Sequence, residues 1–178
     1  MRPVIKTIAV TATLVFLALL AIAGWPPVQE RSYVGAKKCS LCHSNENLGN
    51  QYGKWTSTLH AKSLDVLTGP NAMYPANAAG VKEPAKDPKC LRCHAPLFEK
   101  APDFMYDGVS CEVCHGAGSD FAKLSVMTDR ELAIKNGLVL YDASLNKIMA
   151  FCLSCHDNPH GVPFEFTPAW EKIKHPLK

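Results

Sequence analysis

From Thr7 to Trp25 the chain runs for 19 residues without a charged side chain, rich in Ile, Val, Leu, Phe and Ala, and Arg2 and Lys6 stand before it. A basic flank ahead of such a run marks an export or anchoring segment. Ala21-Ile22-Ala23 fits the small-x-small signature of signal-peptide cleavage, while the run approaches the roughly 20 residues that span a bilayer. Residues 1–25 are therefore expected to be a signal peptide or a retained N-terminal membrane anchor, and residues 26–178 one domain delivered outside the cytoplasm, to the periplasm or cell surface. Further on, Tyr52, Trp55, Leu59, Leu64 and Leu67 recur every three to five residues, which predicts an amphipathic helix ended by Gly69-Pro70, with His60 beside its apolar stripe. Residues 70–89, rich in Pro, Ala, Asn and Lys, read as an irregular surface connection. Gly116 and Gly118 mark a turn. Thr128-Asp129-Arg130-Glu131 has the form of a capping box that opens a short helix closed by Gly137. From Pro163 the tail reads as loop, with one helical turn around Trp170 and Ile173. No strand-like alternation stands out, so the expected fold is mainly α with long irregular loops.

The eight cysteines fall into four pairs with two residues between partners, and each pair is followed at once by histidine. The motifs are Cys39-Ser40-Leu41-Cys42-His43, Cys90-Leu91-Arg92-Cys93-His94, Cys111-Glu112-Val113-Cys114-His115 and Cys152-Leu153-Ser154-Cys155-His156. In this pattern the two thiols form thioethers to haem vinyl groups and the adjacent imidazole ligates the iron. Zinc sites or a disulfide framework would use the cysteines but leave four histidines unexplained. The cysteine pattern therefore predicts four covalently bound haem c groups. With four macrocycles on about 150 residues, the expected fold is a compact multihaem cytochrome c fold whose core is largely porphyrin and whose folding is coupled to haem attachment. The net charge of +3 is then a poor guide to partners, because each haem brings two propionates. No long basic run or aromatic platform suggests nucleic acid.

Axial ligands can be counted. His43, His94, His115 and His156 are proximal, which leaves His60, His160 and His175 for four distal positions. Four bis-histidine haems within one chain are thus excluded: one iron takes methionine, takes a residue from another molecule, or keeps an open position. His60 is the leading distal candidate. His175 lies near the chain end, and His160 follows His156 too closely, across Pro159, to reach the far face of the same haem. Met127 is the leading thioether candidate, set against a packing role as a hydrophobic staple on Leu132.

Tyr33-Val34-Gly35-Ala36, Trp55-Thr56-Ser57-Thr58-Leu59-His60-Ala61-Lys62 and Gly108-Val109-Ser110-Cys111-Glu112-Val113-Cys114-His115-Gly116-Ala117-Gly118 together resemble the cytochrome c-554 family of small tetrahaem electron carriers, over about residues 33 to 175. The resemblance implies that His60 ligates the third haem (His115), that His175 ligates the first (His43), and that the second (His94) can be five-coordinate. In the family the fourth haem receives a histidine from the segment after the third motif. This chain has none between His115 and His156, and Met127 lies in about that place. The function expected is transfer of single electrons between a membrane or periplasmic donor protein and an extracytoplasmic acceptor. The alternatives are a redox enzyme acting on a small nitrogen oxide at an open iron, and a homo-oligomeric subunit of an extracellular haem filament.

Overall fold

The computed structural model describes residues 30–141, 145–157 and 159–175. The export or anchor segment, residues 1–25, lies outside them. Among the described residues there is no strand, and no helix is long and apolar enough to cross a membrane. The helices are α1 (Ala36–His43), α2 (Gln51–Thr56), α3 (Met73–Ala78), α4 (Pro88–His94), α5 (Cys111–His115), α6 (Leu124–Met127), α7 (Arg130–Lys135), α8 (Leu145–Leu153) and α9 (Phe166–Ile173), joined by loops and short 3-10 turns. Residues 31–178 form one unit.

The amphipathic stripe at 52–67 does not become one helix. After α2 it continues as two separate 3-10 turns, His60–Lys62 and Asp65–Leu67. The cause is chemical: the hydroxyls of Thr56, Ser57 and Thr58 donate back to the carbonyls of Gly53, Lys54 and Trp55 at 2.9, 2.6 and 2.7 Å. Such local bonds compete with continuation of the helical ladder. Leu59 is consequently 80% exposed, while Leu64 and Leu67 enter the core. Residues 70–89 are more ordered than a surface connection. Helix α3 forms there, and Ala72, Ala76 and Val81 are buried. Asp87 then caps α4 by accepting from Lys89 N at 2.9 Å, with Pro88 in the first turn.

The cap is displaced by one residue. Asp129, not Thr128, caps α7, accepting from Leu132 N at 3.0 Å. Thr128 closes the preceding α6 and donates to Leu124 O at 3.0 Å. Met127 is therefore the last residue of a helical turn rather than the residue before a cap, and the staple geometry is lost. The tail carries a full helix, α9, instead of a single turn.

The polypeptide core is thin. Leu64, Leu67, Leu91 and Ala95 form its main cluster, with Ala85, Cys90, Phe98 and Met105 packed on it. Many other buried apolar positions are alanines: Ala36, Ala72, Ala76 and Ala133. Large apolar side chains within the cysteine motifs stay exposed, Leu41 at 73% and Leu153 at 43%. Burial of polypeptide alone gives this domain little hydrophobic stabilisation.

Candidate haem sites

Three motifs lie on helices, and the fourth straddles the end of one. Cys39 to His43 close α1, Cys90 to His94 close α4, and Cys111 to His115 make up all of α5. In the fourth, α8 ends at Leu153, but His156 N still bonds Cys152 O at 2.9 Å and keeps the helical register. Residues three and four apart share a helix face, so each motif presents two thiols and one imidazole to the same side. All eight cysteines are free thiols. Among the described residues no three His, Cys, Asp or Glu side chains converge as a zinc cage requires.

Three of the four motif rings are oriented through Nδ1. In His94 this nitrogen lies 2.8 Å from Ser63 O, and in His115 it lies 2.7 Å from Val139 O. In His43 it lies 3.1 Å from Gln51 Oε1. A carbonyl oxygen only accepts, so each Nδ1 carries the proton and leaves Nε2 as the metal-ligating atom. The Gln51 amide is itself fixed, because its Nε2 donates to Leu48 O.

Each non-motif histidine faces a motif histidine. Ring centroids are 6.1 Å apart for His60 and His156, 6.3 Å for His160 and His94, and 5.9 Å for His175 and His115. Two imidazoles that share one metal, each about 2.0–2.1 Å from it, stand with centroids about 6.3 Å apart. The three pairs have the spacing of axial ligands. This assignment departs from the one the resemblance implies. His60 faces His156 rather than His115, His175 faces His115 rather than His43, and His94, the expected five-coordinate position, is faced by His160. The fourth motif is faced by His60, so the gap after the third motif needs no thioether from Met127. His160 does not bend back onto the haem of its neighbour His156; it reaches the second motif.

Burial lowers the pKa of His60, with His156 adding to the effect. Burial likewise lowers His115 and His156. Neutral imidazole is the form that binds metal. The thiols show which motifs are neighbours. Cys39 and Cys111 share a hydrogen bond that lowers the former and raises the latter. Burial pushes Cys114 up to about 12, and Cys152 and Cys155 add to it. Cys93 is pushed up to about 11 by burial and by contact with Cys155. The first motif is therefore beside the third, the third beside the fourth, and the fourth beside the second.

Several residues that build this arrangement carry no motif signal. The Glu112 carboxylate, in a residue only 3% exposed, accepts from Gly35 N at 2.8 Å, Gly118 N at 2.7 Å and Val34 N at 3.0 Å. Asp107 accepts from Ala36 N at 2.9 Å and holds the start of α1. The third motif thus clamps the entry to the first. Ser63 Oγ lies 2.7 Å from His94 O and 2.8 Å from His60 O, and it accepts from Val109 N at 3.0 Å. At Gly108, with φ of +64°, a Cβ would stand 2.6 Å from His60 O, so only glycine lets this segment lie against the His60 turn. The hydroxyl of Ser110, beside Cys111, is buried without a partner among the described residues. An unmet polar atom against a cysteine motif fits a bound group with polar edges.

Residues 38–116 match the family Cytochrome c554 and c-prime. The chain is also 29% identical over 181 aligned residues to cytochrome c-554 of Nitrosomonas europaea, covering 89% of this chain and 72% of that protein. No solved structure matches. The motifs and both matches point the same way: the chain is similar to cytochrome c-554, and over residues 38–116 to its family of c-type cytochromes.

Proposed function

We propose that the chain is an exported tetrahaem cytochrome that carries single electrons from a membrane or periplasmic donor protein to an extracytoplasmic acceptor. The single observation that carries this reading is the adjacency of all four motifs in one small domain, with the His43, His94 and His115 rings oriented through Nδ1. When bound, haem iron supplies a one-electron ferric/ferrous couple. The chain's own part is to hold, orient and order. Cys39 and Cys42, Cys90 and Cys93, Cys111 and Cys114, and Cys152 and Cys155 anchor the four groups. His43, His94, His115 and His156 ligate from one side, and His160, His175 and His60 ligate the second, third and fourth from the other. Exposed Leu41 and Leu153 and the unpartnered Ser110 hydroxyl are surfaces that the bound groups cover.

Intact-mass measurement tests the reading first, with four haems per chain expected and any lower number overturning it. Potentiometric titration and rapid mixing with a small reductant should then show all four haems filling with one electron each. Steady consumption of nitric oxide or hydroxylamine by the reduced protein would replace the carrier by an enzyme.

A further inference from the structure

The four motif histidines are not restrained alike. In His43, His94 and His115 a hydrogen bond from Nδ1 fixes the ring, to Gln51 Oε1 at 3.1 Å, Ser63 O at 2.8 Å and Val139 O at 2.7 Å. The His156 ring makes no such bond among the described residues. Rotation of an imidazole about its Cβ–Cγ bond is soft, so the plane of this ring needs another restraint. Phe164 supplies one. It lies against the His156 ring with centroids 4.5 Å apart and planes 18° from parallel, the shortest ring contact among the described residues. Such a distance and angle are those of a stacked aromatic pair. The phenyl group is itself anchored: Phe164 is half-buried, and it sits between Pro163, whose backbone φ is fixed, and the first turn of α9.

We infer that Phe164 is the positioning residue of the fourth site, fixing by stacking the plane in which His156 meets a haem iron. The inference rests on the reading of the fourth motif as a haem site with His60 as its second ligand. An imidazole ligand keeps one freedom, rotation about its bond to the metal, and contacts outside the coordination sphere remove it. A phenyl face laid along the imidazole face blocks that rotation as an Nδ1 bond does. The two restraints differ in what else they do. An acceptor draws the Nδ1 proton and makes the ring a stronger donor, whereas a stack orients the ring without that draw. At this site the plane of the ring is therefore set apart from its donor strength. Phe164 holds His156 at 48° to the His60 ring. The same stretch of chain serves two other sites, since His160 just before Phe164 faces His94, and His175 just beyond α9 faces His115. Both flanks of Phe164 are thus tied down by ring pairs of their own.

The test uses the full holoprotein, with four haems per chain fixed by intact mass. Low-temperature electron paramagnetic resonance of the ferric protein reads the angle between two imidazole planes on a low-spin haem through its lowest-field g value. His60→Ala should remove the low-spin signal of the fourth haem and so identify it. In Phe164→Leu, which keeps apolar bulk but not the flat face, that signal alone should shift and broaden. Phe164→Tyr keeps the face and should give the parent signal. Simple space-filling by Phe164 would instead lower stability in urea and leave the signal where it was. A fourth-haem signal identical in the parent and in Phe164→Leu would overturn the inference, as would a Phe164→Tyr signal displaced like that of Phe164→Leu. Should Phe164→Leu fail to attach four haems, Phe164→Met, unbranched and pliable, carries the same test. The parent alone can also overturn the inference, if its fourth haem gives the rhombic signal of parallel imidazoles. A His60→Ala variant that loses no low-spin signal would instead overturn the His60 pairing, and fewer than four haems in the parent would overturn the tetrahaem reading.

Discussion

The first and third motifs are neighbours, clamped together by Glu112 and by the Cys39–Cys111 contact, yet they are finished differently. His115 is held by main chain on both sides of its peptide. Its Nδ1 donates to Val139 O at 2.7 Å, Val139 N donates to His115 O at 2.9 Å, and His175 faces the ring. His43 is held by the amide of one side chain and faces no described imidazole. A backbone carbonyl cannot be changed by substitution at its own position, so the third site is insulated from sequence drift. The first is adjustable. One clamp therefore joins a ring held by main chain to a ring held by a side chain.

The largest expected effect breaks the clamp. Glu112→Ala leaves the N–H groups of Val34, Gly35 and Gly118 without their acceptor, and unmet buried donors cost about 1–3 kcal/mol each. Destabilisation of about 3–5 kcal/mol is expected in urea unfolding of the holoprotein, and the loss should register at both sites because the start of α1 is released. A variant as stable as the parent would show that Glu112 does not join them. Next comes His175→Ala, which makes the third site resemble the first. It should add one high-spin ferric haem and one carbon monoxide site per chain without lowering the number of attached haems. An unchanged spin count would mean that the ring at 5.9 Å from His115 is not an axial ligand.

These two positions also show what could be read from the chain alone. The cysteine motifs are local: each set of ligands lies within five residues, and its chemistry needs no tertiary information. Distal pairing is not local. His60 lies nearly a hundred positions from His156, and no periodicity links them; only the folded chain shows that His160 reaches the second motif. Nothing local to Glu112 signals its burial, since a lone carboxylate normally faces water. A signal was present in the glycines at 35 and 118, whose bare N–H groups allow close approach to a carboxylate, but it means nothing until those loops meet. The stripe at 52–67 misled because three successive hydroxyl residues, Thr56, Ser57 and Thr58, sit where the helix would have had to continue. The displaced cap has a similar origin, since Thr128 is drawn to the end of α6 and leaves Asp129 to start α7.

The smallest expected effect sharpens the contrast from the side of the third site. Tyr141 Oη donates to Cys114 O at 3.2 Å, and burial raises the pKa of its phenol, so the group stays protonated and remains a donor throughout the neutral range. Tyr141→Phe removes one hydrogen bond to a carbonyl and keeps the ring that stacks on Phe151 at 6.3 Å. The loss should be ~0.5–1 kcal/mol in urea unfolding. The spin states and carbon monoxide stoichiometry should not move, because the paired peptides of His115 and Val139 hold the imidazole independently of the hydroxyl. Appearance of a new high-spin signal in this variant would show that the third site depends on a side chain after all, and the distinction between a fixed and an adjustable site would fail.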